Sequence, residues 1–287
     1  MPSRLPVPGR LGVFVLAALA IGVAQLRAQH LKPEAVAFAG EGGEMLRGEL
    51  YRPRGHGPFP AVIALHGCGG LYGRDGALRP RDADWGERLA GRGYLVLLPD
   101  SFGSRELGSQ CREAARAVRP GRERTDDAFA AKAYLQGRPD VRPGAVSLLG
   151  WSNGGSTALY AAAARPPHDG RPGFARVAAF YPGCRAPAER GLVPRPPLLV
   201  LVGGADDWTG AAPCERYVDA ARNAGGHAEI VVYPGAHHDF DHPNLPLGVR
   251  RGLAQTVEGT GEAHVATDPA AREDAIRRVL AFLEGQG

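Results

Sequence analysis

Lysine is almost missing from this chain. Of its 34 basic side chains only Lys32 and Lys132 are lysine, and the arginines are scattered along the 287 residues. A nucleic-acid partner needs a clustered basic patch or stripe, so this scatter argues against one. No pair of cysteines has the CxxC spacing of a structural zinc site. No repeat of fixed period occurs, which excludes solenoids and repeat arrays. No low-complexity linker divides the chain. Past the N-terminus, no apolar run approaches the roughly 20 residues a membrane-spanning helix needs.

The one long apolar run is Leu11–Ala24, preceded by Arg4 and Arg10 and followed by small residues at Ala24 and Ala28. A basic start, a short apolar stretch and small residues at the end describe a secretory signal peptide, too short for a comfortable span. Cleavage is expected after Ala28, with Ala24 as the alternative, leaving a domain of residues 29–287. With Arg4, Arg10 and Arg27 removed, 31 basic residues face 30 acidic ones. The mature protein is thus expected to be near neutral, soluble, and periplasmic or secreted, with no membrane contact after processing. Its oligomeric state is left open.

Cys68, Cys111, Cys184 and Cys214 are the only cysteines. An even count in an exported chain points to two disulfides. Of the three possible pairings, the order of the strands favours Cys68–Cys111 and Cys184–Cys214, each tying neighbouring strand-end loops.

Apolar runs of strand length alternate with longer amphipathic stretches. Strands are predicted at Ala35–Ala39 and Met45–Tyr51 (an antiparallel pair), Phe59–Leu65, Tyr94–Leu98, Val146–Leu149, Val177–Tyr181, Leu198–Val202 and Ala228–Tyr233. Helices are predicted at Trp85–Arg92, Thr125–Gln136, Thr157–Ala164, Glu215–Asn223 and Ala270–Leu283. This alternation predicts an α/β fold, a mostly parallel central sheet with helices on both faces. Residues 243–266 lack periodicity and read as a long excursion beside the last strand's carboxyl end.

Within Val146–Gly155 an apolar strand runs into Gly150-Trp-Ser152-Asn-Gly154, the G-x-S-x-G of a nucleophile elbow. A serine hydroxyl needs a sharp turn to expose it and a base to activate it. Two later strands end in Gly203-Gly-Ala-Asp206-Asp207-Trp208 and in Tyr233-Pro-Gly-Ala-His237-His238-Asp-Phe240. In a parallel sheet these carboxyl ends share one edge, so Ser152, Asp206 and His238 are expected to converge. Asp206 is preferred to Asp207 as the residue nearer its strand, and His238 to His237 because Phe240 anchors its loop. The run His237, His238, Asp239, Asp241 and His242 also has metal-ligand chemistry, but residues so crowded on one loop do not readily converge on one ion. Neither metal nor cofactor is expected. Two N–H donors are needed for an oxyanion. Asn153 follows the nucleophile, and Cys68, with Gly67 as alternate, lies in the loop Leu65-His-Gly-Cys-Gly-Gly70.

Taken in order, Leu65–Gly70, Pro99-Asp-Ser-Phe-Gly103 with Arg105, Gly150–Gly155, Gly203–Trp208 and Tyr233–Phe240 resemble the dienelactone hydrolase family of α/β-hydrolases, over roughly residues 33–285. The resemblance implies a compact α/β-hydrolase with little lid. It also maps the acid onto Asp206 and the base onto His238. One departure matters. The founding members carry cysteine at the elbow, where this chain has Ser152, which suits general ester hydrolysis. Arg105, Trp151 and Trp208 are candidates to line a shallow pocket. The expectation is a serine hydrolase acting on small-molecule esters or lactones. A peptidase or acyltransferase on the same triad is the alternative enzyme, and a binding protein with a vestigial site is the alternative of another class.

Overall fold

The computed structural model describes residues 31–164 and 172–286, together with Met1. Apart from Met1, the stretch read as a signal peptide lies outside these residues. The elements in chain order begin with strands β1 (Glu34–Ala39), β2 (Met45–Tyr51) and β3 (Phe59–Leu65) and helix α1 (Pro80–Gly91). They continue with β4 (Leu95–Asp100), α2 (Glu123–Gln136), β5 (Val141–Trp151), α3 (Asn153–Ala163), β6 (Val177–Phe180) and α4 (Arg185–Glu189). The last are β7 (Leu198–Gly203), α5 (Ala211–Asn223), β8 (Ala228–Tyr233), β9 (Gly248–Arg251), β10 (Glu262–Val265) and α6 (Pro269–Glu284).

Eight strands form one sheet in the order β1-β2-β4-β3-β5-β6-β7-β8. The first two pairings, β1 with β2 and β2 with β4, are antiparallel, and all later ones are parallel. The continuous apolar runs follow from this burial on both faces. In β3, Ala61, Ile63 and Leu65 join the core under α2, α3 and α5. Val62 and Ala64 join the core on the opposite face, under α1 and α6.

Helix starts are the main departures from the sequence reading. α1 begins at Pro80 rather than Trp85, and α5 at Ala211 rather than Glu215. In both, a proline sits in the first turn, where its missing N–H would have no intrahelical partner. A residue that reads as a breaker therefore marks a start. The 243–266 excursion is not irregular throughout. β9 and β10 pair antiparallel, Glu262 opposite Arg251 and Val265 opposite Gly248. Four-residue strands bounded by glycines are too short for alternation to stand out from the sequence.

Two disulfides close the loops, Cys68–Cys111 and Cys184–Cys214, as the strand order suggested. Among the described residues no helix is long and apolar enough to cross a membrane. The bridges enclose chain segments with sequence separations of 43 and 30. Chain-entropy arguments give each about 3–4 kcal/mol through its restriction of the unfolded chain. Reduction should therefore lower the melting temperature by well over 5 °C in a calorimetric scan. Equal melting of the reduced and oxidised protein would show that the bridges contribute no net stability.

Candidate active site

Ser152 stands between β5 and α3 with φ 53° and ψ −113°, a positive φ that non-glycine residues rarely adopt. Its neighbours explain how the turn closes. A Cβ on Gly150 would sit 2.3 Å from the Gly154 carbonyl oxygen, and one on Gly154 would sit 2.1 Å from the oxygen of Leu65. Both glycines are thus required by close backbone approach. The Ser152 N–H continues the sheet by donating to the Phe180 oxygen at 2.9 Å.

His238 lies on the loop after β8, and its Nδ1 is 2.8 Å from Asp206 Oδ2. That fixes the neutral tautomer, with the proton on Nδ1 and Nε2 as the unprotonated nitrogen. Asp206 in turn is held by the N–H groups of Trp208 and Thr209 at 2.9 and 3.0 Å and by the Thr209 hydroxyl at 2.8 Å. Burial pushes the Asp206 carboxyl up, but the facing imidazole and these donors outweigh it and hold it below its ordinary value. Burial likewise pushes His238 down, and the Asp206 charge and hydrogen bond overcome this, leaving the imidazole above its ordinary value. The ring is packed between Tyr181 and Trp208, at centroid distances of 4.4 and 4.6 Å. The loops that carry Asp206 and His238, the candidate acid and base, can approach because Gly203 has no side chain. A Cβ there would sit 2.1 Å from the Ala236 oxygen.

The competing residues point elsewhere. His237 Nδ1 meets the Ala205 oxygen at 3.0 Å. Asp207 accepts from the N–H and the Nδ1 of His264, at 2.8 and 2.7 Å, and so ties β10 to the acid loop. Among the described residues no group of three or more His, Cys, Asp or Glu is arranged to hold a metal.

Ser152, His238, Trp208, Gly67 and Cys68 line one cavity of about 830 Å³. It is roomier than the shallow pocket expected. Loop residues Ser109 and Cys111–Glu113 and the hairpin residues Val249–Arg251 build walls that the core strands alone would not supply. Six arginines (Arg74, Arg79, Arg81, Arg112, Arg250 and Arg251) face three carboxylates in this lining, so its field attracts negative charge. The backbone N–H groups of Cys68 and Asn153 have no backbone acceptor among the described residues.

Two candidate pocket residues lie outside the lining. Arg105 donates to Asp127 at 2.7 and 3.0 Å and to the Ser101 oxygen at 2.8 Å, and also binds Glu44. It braces the end of β4 to α2, a structural role set by its acid partners. Trp151 is fully buried, and its indole N–H donates to Asp241 Oδ2 at 2.8 Å. Alternation along β5 sends it into the core beneath the site.

Asp241 is the residue the sequence reading passed over, grouping it with metal ligands. Fully buried, it accepts from Trp85 and Trp151, both at 2.8 Å, and from the Tyr181 hydroxyl at 2.5 Å. Burial raises its carboxyl, opposed by Arg81 and these donors. Arg81 adds a 2.9 Å bond to Asp239 and lies over the Trp151 ring at 5.1 Å. The base loop is thus pinned from beneath at Asp239 and Asp241, and by Phe240 packed on Tyr181 at 5.5 Å. A carboxylate immediately after the loop's phenylalanine, with tryptophans elsewhere needing N–H acceptors, was the available signal.

Comparison with known proteins agrees with this architecture. The profile of the dienelactone hydrolase family matches residues 46–286. A Methylorubrum extorquens protein, provisionally named a carboxymethylenebutenolidase, is 28% identical over 199 residues, covering 66% of this chain and 65% of its own length. An uncharacterized protein of Mycobacterium tuberculosis is 30% identical over 236 residues, covering 75% of this chain and 77% of its own. A Klebsiella pneumoniae structure, provisionally titled a dienelactone hydrolase, superposes with TM-score 0.68 at 20% identity, covering 89% of this chain and 99% of that one. The chain belongs to the dienelactone hydrolase family.

Removing the Asp241 carboxylate strands two indole donors and a phenol in the core. Asp241→Ala should lose about 3–5 kcal/mol in urea denaturation, the cost of breaking a buried charged network. A loss under 1 kcal/mol would show that the base loop does not depend on it.

Proposed function

We propose that this member of the dienelactone hydrolase family is an exported serine hydrolase that cleaves small carboxylic esters or lactones without a cofactor. The observation that carries the reading is the bond from His238 Nδ1 to Asp206, beside a cavity that Ser152 and His238 both line. The two disulfides support export, since such bridges persist in oxidising compartments.

In this reading Ser152 Oγ attacks the acyl carbonyl while His238 Nε2 takes its proton. The backbone N–H groups of Cys68 and Asn153 receive the oxyanion. His238 then protonates the leaving alkoxide, and an acyl-enzyme remains on Ser152. Water attacks that acyl group, giving a proton to His238, which returns it to Ser152 Oγ as the bond from Oγ to the acyl carbon breaks and the acid leaves. Asp206 stays ionised throughout and stabilises the imidazolium formed in each half. The serine at the elbow suits this two-step acyl transfer.

Purified mature protein should hydrolyse p-nitrophenyl acetate and be labelled by a fluorophosphonate. Ser152→Ala should lower kcat/KM by at least about 10⁴-fold and abolish labelling, with unchanged circular dichroism. Turnover persisting in the variant would remove Ser152 from the mechanism. The pH dependence has a definite sign. His238 must be neutral to accept a proton, and its pKa is raised by Asp206 despite burial. The acidic limb of kcat/KM should therefore have its midpoint above the roughly 6.5 of a free imidazole. A midpoint clearly below that value would contradict the His238–Asp206 pairing as the titrating unit.

A further inference from the structure

Behind the two N–H groups assigned to the oxyanion lies a cation that the mechanism above does not use. Arg124 of α2 is fully buried. Its Nη1 donates to the His66 backbone oxygen at 2.9 Å and to Asn153 Oδ1 at 2.7 Å. Its hydrogen bonds thus run to a carbonyl and an amide oxygen, not to a carboxylate. Nε and Nη2 have no hydrogen-bond partner among the described residues. The guanidinium also lies over the Phe102 ring, 5.1 Å from its centroid. Burial pushes its pKa down to about 10, which still leaves it charged at neutral pH.

The two acceptors of Nη1 belong to the two segments that carry the donors. Asn153 supplies one N–H itself. His66 precedes Gly67–Cys68, the peptide that supplies the other. That peptide is held as well. The Ser101 N–H donates to His66 Nε2 at 3.3 Å, so the ring proton is on Nδ1, which donates to the Gly67 oxygen at 2.8 Å. Burial, and then the Arg124 charge, keep this imidazole neutral. In a trans peptide the Cys68 N–H points opposite to the Gly67 carbonyl, so pinning that oxygen aims the donor.

We infer that Arg124 is the positioning residue of the oxyanion hole. One nitrogen ties its two halves together, and a positive charge that Asp127, Asp82 and Asp100 offset only at longer range, with no carboxylate hydrogen-bonded to it, favours an anion in front. A buried cation without a carboxylate partner weakens a fold more than a neutral residue of similar volume does. A purely structural part is therefore poorly filled by arginine. A group that must favour negative charge in a water-poor site is well filled by it. The inference rests on the serine hydrolase reading of Ser152.

The test compares wild type, Arg124→Met and Arg124→Lys with p-nitrophenyl acetate, together with the rate of fluorophosphonate labelling and the melting temperature. Arg124→Met should lose about 10²–10³-fold in kcat, the range seen when one oxyanion donor is removed, with KM within about threefold. Arg124→Lys keeps the charge but not the double tie, and should fall between the two. Labelling should slow in the same order, because the phosphonyl oxygen takes the place of the oxyanion. If Arg124→Met does not fold, Arg124→Lys decides alone: a drop in kcat at constant KM supports the inference. A kcat within about threefold of wild type in either folded variant, or a loss carried by KM, overturns it. A wild type that neither hydrolyses the ester nor takes the label overturns the serine hydrolase reading, and this inference with it. An active wild type with unaffected variants overturns the inference alone.

Discussion

The site depends on a steric constraint, the near contact of three backbone segments around the serine turn. Carbonyl oxygens of Leu65, Gly154 and Phe180 stand within 3 Å of where side chains on Gly154, Gly150 and Gly155 would begin. Hence the end of β3, the turn and the end of β6 can be packed together only with glycine at these positions. Ser152 itself carries the strain of a positive φ, of order 1–3 kcal/mol for such residues. The parallel ladders on either side of β5 over-determine that conformation. With the turn closed, the donor loop after β3 and the helix start of α3 are adjacent by construction.

The opposite side of the site is organised by charge. Asp206, Asp241 and Asp82 are all buried, as is Arg81, in a region also packed with Trp85, Trp151, Phe180, Tyr181 and Phe240. Burying so many ionised groups is unfavourable unless their hydrogen bonds are met. Asp206 and Asp241 are well supplied with donors, whereas Asp82 Oδ1 and Arg81 Nε are not. The full satisfaction falls on the two carboxylates that hold the His238 loop, one at the imidazole and one beneath it. Aromatic rings supply both the apolar filling and the N–H and O–H donors, which Leu or Ile in their place would not.

Much of this was legible in the chain. The sheet and its helices follow from apolar runs alternating with amphipathic stretches. The elbow, the acid turn and the base loop follow from glycines and polar residues at strand ends. The disulfide pairing follows from strand order. What was not legible depends on contacts across the fold. Arg105 lies in a matching motif, yet its direction is decided by Asp127 and Glu44, far away in sequence. Trp151 adjoins the serine, but strand alternation turns it inward. Asp241 and Arg124 carry no motif and gain meaning only from the donors and acceptors that surround them. The starts of α1 and α5, at Pro80 and two residues before Pro213, lie ahead of the predicted ones because a proline is compatible with a helix only in its first turn, and its place is decided by the rest of the fold.

The hairpin wall is attached to the His238 segment as well as to the cavity. Val265 of β10 bridges to His238 in parallel fashion, and the Ala266 N–H donates to the His238 oxygen at 3.2 Å. On the same stretch, His264 holds Asp207, the neighbour of the acid. A molecule that presses this wall outward presses on the segment carrying the imidazole. If His238 is the base as proposed, selectivity would be expressed in turnover more than in occupancy: an ill-fitting molecule would enter and stay, yet find the proton acceptor out of line.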